Sequence, residues 1–244
     1  MPTPTKINHC PIVDCVIELK FESIVPAGAV FGYLYQQFVT NYPKLEDLPI
    51  LQIPESIRAQ EANFKFSPHY RISNDRFAIQ IGPNVLTISP ILVNKGYEGW
   101  EVIGNEIVAV FNKLKESKIV KQFLRLGMRY VNFFEDLDIF QKIDIGLSSQ
   151  NLLVNNNSLL RIESMHDDSI LKALQISNNA NFQPPKGRVH NGSIIDIDVS
   201  IQNNLNDYFE DVHNICNKIH DIEKEYFFSI LNKEFKESLE PVYQ

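Results

Sequence analysis

The sequence predicts an α+β fold, in which two β-α-β-β-β-α units share one curved antiparallel sheet with long helices packed on a single face. Three observations predict it. Residues 12–117 and 123–238 present the same order of period-two and helical segments. The two orders meet at one alternating stretch in the middle of the chain, Phe123–Phe134. Each ends in a long segment with helical spacing, so residues 1–120 and 121–244 are read as two halves of one globular unit.

The first ten residues, with Pro2 and Pro4, read as an extended lead-in. From Ile12 to Phe21 the odd positions are Val13, Cys15, Ile17, Leu19 and Phe21, against Asp14, Glu18 and Lys20, which predicts a strand with one buried face. Pro26 suits a first helical turn, and Val30, Leu34, Phe38 and Asn41 continue at helical spacing until Pro43. The proline-rich stretch from Pro43 to Pro54 reads as a loop. Three strands follow, at Ala62–Phe66, Arg76–Ile81 and Val85–Ile91, the last two joined across Gly82-Pro83-Asn84. Trp100, Ile103, Ile107, Val110, Phe111 and Leu114 then predict an amphipathic helix that ends near Ser117.

After the central strand, Leu137–Ile143 reads as a short helix and 155–158 as a turn. Leu159–Met165 and Ile170–Ile176 form a hairpin about His166-Asp167-Asp168. A loop over 178–192, which includes Pro184-Pro185-Lys186-Gly187, leads to an alternating strand at Ser193–Gln202. A single helix capped by Asn204 or Asn206 is expected to run to Ser238, with Phe209, Val212, Ile215, Cys216, Ile219, Ile222 and Phe227 on its apolar stripe.

With 244 residues, 44% of them hydrophobic, the chain can bury a core without disulfides or metals. Its net charge of −7 argues against coating nucleic acid, which needs a clustered basic surface. Cys10, Cys15 and Cys216 have no CxxC spacing, which points to reduced thiols in a cytoplasmic setting. No run approaches the roughly 20 apolar residues that span a bilayer, so no membrane association is expected.

If the first strands of the halves pair, Asp14 and Glu18 meet Arg125 and Arg129, each pair four residues apart and therefore on one face. The plain reading is a salt-bridge ladder. The sharper one is a site for a small anionic ligand or nucleotide, in which Gly127 lets the anion approach the backbone between two guanidinium forks. His213 and His220 share a helix face, but two ligands do not make a metal site, and no metal or cofactor is expected. Asp196 and Asp198 share one strand face, where carboxylates are usually solvated. No phosphate loop, nucleophile elbow or zinc-protease motif occurs. Tyr226, Phe228, Phe235 and their apolar neighbours surround the last helix rather than keeping to a stripe. That suggests an interaction surface for a protein partner or a second copy, and a binding rather than catalytic role.

Pro11–Phe21, Tyr97 with Trp100, Leu126-Gly127-Met128-Arg129-Tyr130-Val131-Asn132, and His220 with Phe227 together resemble, over nearly the whole chain, a sporadically distributed family of uncharacterised bacterial proteins. They correspond to its opening strand, aromatic helix start, central LGxRYxN motif and C-terminal helix signature. Asp14 stands where Glu is expected and Lys20 where Arg is usual, with charge kept. The resemblance implies a bacterial cytosolic protein with a mobile accessory role such as defence or toxin control.

Overall fold

The computed structural model describes residues 3–93, 95–146, 158–184, 187–202, 205 and 209–243. It is a mixed α+β structure built on a large, wholly antiparallel sheet. The alternating segment at Ile12 forms β2 (Ile12–Ser23), whose Cys15, Ile17, Leu19 and Phe21 are completely buried. Val30, Leu34 and Phe38 of α1 (Ala27–Phe38) join the same core. After a short β3 (Lys44–Asp47) and α2 (Glu55–Gln60), the chain makes the meander β4 (Tyr70–Ser73), β5 (Phe77–Gly82) and β6 (Val85–Pro90). Helix α3 (Trp100–Glu116) buries the stripe from Ile103 to Leu114 that its spacing predicts.

The central stretch forms β7 (Val120–Glu135), longer by a few residues than its alternation indicates. It pairs antiparallel with β2, Cys15 opposite Tyr130 and Leu19 opposite Leu126. The later strands are β8 (Leu159–Met165), β9 (Ile170–Phe182) and β10 (His190–Ile201), and the sheet order is β3-β4-β5-β6-β2-β7-β10-β9-β8. Helices α4 (Val212–Ile230) and α5 (Lys233–Ser238) follow, and β11 (Pro241–Val242) pairs with the N-terminal β1 (Lys6–Ile7). Among the described residues no helix is long and apolar enough to cross a membrane.

Several segments differ from expectation for identifiable reasons. Ala62–Phe66 is not a strand. Pro54 and Glu55 start α2, whose exit is a 3₁₀ turn at Ala62–Phe64, and the strand falls at Tyr70 beyond Pro68. The Pro43–Pro54 loop contains edge strand β3. Leu137–Ile143 keeps only one 3₁₀ turn, Ile139–Gln141, capped by Asp138. The loop expected at 178–192 is shorter, because β9 and β10 pair through Asn181 and Asn191 despite their poor strand propensity. The last helix is broken rather than continuous. Leu231 turns extended to bridge Ile143, and the Asn232 side chain caps α5 by accepting from the Phe235 N–H at 2.8 Å. The expected caps Asn204 and Asn206, the turn at 155–157 and residues 185–186 lie outside the described residues.

The helix surface assigned to a partner is covered by the protein's own fold. Phe228 and Phe235 are buried, and the Phe235 ring meets Phe134 edge-on at 5.2 Å. Tyr226 is half-buried under the Lys172 ammonium, 4.5 Å from the ring centre. These aromatics surround the helix because α4 and α5 are enclosed on several sides by core, which removes the reason for assigning them to an interface.

Candidate functional site

The two arginines of β7 alternate with the buried Leu126, Met128 and Tyr130, and both are engaged. Arg125 Nη1 donates to Glu18 Oε1 at 2.8 Å, and its Nη2 donates to both oxygens of Asp198, at 2.8 and 2.6 Å. Arg129 makes a bidentate pair with Asp196, through Nε at 2.8 Å and Nη2 at 2.6 Å. Asp14 makes no hydrogen bond to either arginine. In the β2–β7 register Asp14 stands opposite Val131 and Val16 opposite Arg129, so the ladder runs chiefly to β10.

Nor does Gly127 open a path for an anion. A Cβ there would lie 2.6 Å from Arg125 Cζ, so the glycine makes room for that guanidinium and its own arginine fills the space. Asp14, Glu18, Asp196 and Asp198 outnumber Arg125, Arg129 and Lys20 around this patch. Burial holds the Asp14 and Asp198 carboxyls above the usual range despite the arginines. The geometry is that of a structural ion-pair network, and the anion-site reading of Arg125, Gly127 and Arg129 is corrected accordingly.

The opposite side of the same two strands carries a different constellation. Tyr130 and Asn132 point inward from β7, and Cys15 lies beside Tyr130 on β2. Gly99, at φ 97°, takes a backbone conformation that other residues avoid and sets the turn between Tyr97 and Trp100. Helix α4 presents His220, Glu223 and Phe227 at spacings of three and four, hence on one face. Together with Phe228 and the N-terminal segment Thr5–Ile7 they line a cavity of about 450 Å³, within the range of small-ligand sites.

Inside it the polar groups form a chain. The Tyr97 and Tyr130 hydroxyls are 3.2 Å apart, and the Tyr130 hydroxyl is 3.4 Å from His220 Nδ1. Trp100 stacks on the His220 imidazole with ring centres 4.1 Å apart, and its Nε1 donates to Asn217 at 2.7 Å, which fixes the indole. Burial, with the Lys224 ammonium adding to it, lowers the His220 pKa to about 3. Burial lifts Glu223 to about 8, and Lys224 pulls it only partly back. Burial also raises the Tyr97, Tyr130 and Cys15 groups. At neutral pH His220 and Glu223 are therefore uncharged, with Glu223 a carboxylic acid that can both donate and accept, while Lys6, Glu98, Asp221 and Lys224 also line the cavity.

Glu223 is 5% exposed and has no hydrogen-bond partner among the described residues, although no fully enclosed polar side-chain atom lacks one. Glu223 lines the cavity. The four segments quoted for the family resemblance all reach this place: Ile12, Tyr97, Trp100, Tyr130, Asn132, His220 and Phe227 all line it. Glu223 itself was not singled out from the sequence. Its signal is a carboxylate four residues from both Ile219 and Phe227, on the apolar stripe of the helix. Neither a protein-family model nor a curated protein matches the chain, so the reading of the site rests on its geometry.

Proposed function

We propose that the protein binds a small molecule in the cavity between β7, α4 and the N-terminal segment, the ligand being a largely apolar compound with a hydrogen-bonding edge that meets the Glu223 carboxyl. The observation that carries this reading is Glu223 itself. Its carboxyl has no hydrogen bond to a described residue yet keeps some accessible surface, so a ligand that pairs with it adds a hydrogen bond worth about 0.5–1.5 kcal/mol. Tyr97, Trp100, Tyr130, Phe227 and Phe228 supply aromatic surface around it.

We further infer that residues 1–120 and 121–244 are structural repeats of one unit. The mirrored strand order on either side of the β2–β7 pair supports this, and Ile12, Tyr130 and Asn132 of that pair line the cavity.

Trp100 is the only tryptophan and lines the cavity, so its fluorescence reports occupancy directly. A metabolite panel screened by thermal shift and Trp100 emission should give compounds that raise Tm and alter the emission in the wild type, with both effects lost in Glu223→Leu. Compounds that raise Tm equally in that variant would place the site elsewhere. A panel without any effect would count against the reading.

A further inference from the structure

We propose that the protein forms a two-fold homodimer by antiparallel pairing of β8 with β8 of a second copy, centred on Ile162. The cavity plays no part in this inference. Among the described residues β8 ends the sheet order, and its seven residues have no strand on their outer side. Proteins usually protect such an edge. The opposite edge, β3, is four residues long and carries Lys44, Glu46 and Asp47, so it is short and charged. On β8, Leu159 and Met165 are instead 61% and 56% exposed.

Backbone geometry says which groups are free. The hairpin closes with the His166 N–H donating to the Ile170 carbonyl at 2.8 Å. Antiparallel partners alternate between bonded and non-bonded pairs. Counting back along the β8–β9 register, Ser164, Ile162 and Leu160 bond toward β9. The N–H and C=O groups of Leu159, Arg161, Glu163 and Met165 therefore point to the open edge. The side chains of these same four residues are the exposed ones.

A two-fold axis at Ile162 makes this row complementary to itself. Leu159 faces Met165 of the second copy, and Arg161 faces Glu163 of the second copy, each twice. All four positions then form hydrogen-bonded pairs, because every outward-pointing group meets another. Moving the axis by one residue either way sets Arg161 against Arg161, or Glu163 against Glu163, which is destabilising. In the single chain Arg161 Nη2 reaches Glu163 Oε1 at 2.7 Å along the strand, so pairing turns two exposed ion pairs into a four-charge cluster.

Sedimentation equilibrium with charge-reversal variants tests this. Wild-type protein should be a dimer. Glu163→Arg and Arg161→Glu should each weaken association about tenfold, because two cross-strand pairs change from attraction to repulsion. The double variant Arg161→Glu/Glu163→Arg should restore it, since reversing both charges keeps the row self-complementary. Both residues are exposed, and unchanged thermal unfolding would confirm an intact fold in each variant. A monomeric wild type overturns the proposal. So does a dimer indifferent to both single reversals, and a double variant that stays dissociated rules out this register.

Discussion

The Arg125 guanidinium lies directly over the Gly127 backbone, its Cζ 2.6 Å from where a Cβ would stand. Gly127→Ala forces the guanidinium away, and because that end of the side chain is flexible the cost lies mainly in its lost bonds to Glu18 and Asp198. Arg125 is only 18% exposed, so about 1–2 kcal/mol of stability should be lost in urea unfolding. In an Arg125→Ala background the same glycine change should cost almost nothing. An equal cost in both backgrounds would show that Gly127 answers to the backbone rather than to the arginine.

The acids of the network should differ in weight. Asp196 is 10% exposed and held by two bonds from Arg129, whereas Asp14 has no side-chain bond to either arginine. Asp196→Asn should therefore cost roughly 1–3 kcal/mol. Asp14→Asn should be neutral or slightly stabilising, because burial disfavours its charge. Comparing the denaturation midpoints of the two variants decides it.

Much of the sheet was legible because its strands are half-buried, and a half-buried strand must alternate. Ile12–Ser23 and the central strand stand where period two puts them, while Val85–Pro90, buried on both sides at Val85 to Ile88, follows from the reversal at Gly82-Pro83-Asn84. What alternation does not carry is register. Four-residue spacing puts Asp14 and Arg129 on one side of the sheet, but Arg129 stands between Val16 of β2 and Asp198 of β10 and reaches diagonally to Asp196, which spacing does not show. The site was half legible. Tyr97, Trp100, Tyr130 and His220 each stand out in the sequence, yet their convergence depends on how α4 crosses the sheet, a tertiary property. The apolar excess at Tyr226–Phe235 was real, but composition cannot say whether such a surface meets a partner or its own core.

The break in the last helix gives another test. Lys142 and Asp144 bond to the backbone on both sides of Leu231, and Asn232 restarts the helix through its side chain. Asn232→Ala removes that cap and should cost about 1 kcal/mol. Asn232→Asp should retain most of the stability, because a carboxylate also accepts from the Phe235 N–H. A loss as large for Asp as for Ala would mean that the Asn232 amide bond to the Gln141 carbonyl, at 3.1 Å, is the dominant contact.

Glu223 and His220 give stability a definite pH profile. His220 has a folded pKa near 3 against 6.5 in the unfolded chain, so between those values the unfolded state binds more protons and stability rises with pH. Glu223 does the reverse. Its folded pKa of about 8 exceeds the unfolded 4.5, so its contribution is full below pH 4.5 and is lost as pH rises toward 8. Between 4.5 and 6.5 the two slopes oppose and nearly cancel. Above 6.5 only the Glu223 slope remains, and stability should fall by about 1.4 kcal/mol per pH unit until pH 8. Glu223→Gln keeps the shape and removes the titration, so its unfolding free energy should be flat over that window and exceed that of the wild type at pH 8. A wild-type profile that is already flat from 6.5 to 8 would mean that Glu223 is ionised and paired in solution, which would remove the unpaired carboxylic acid on which the ligand site depends.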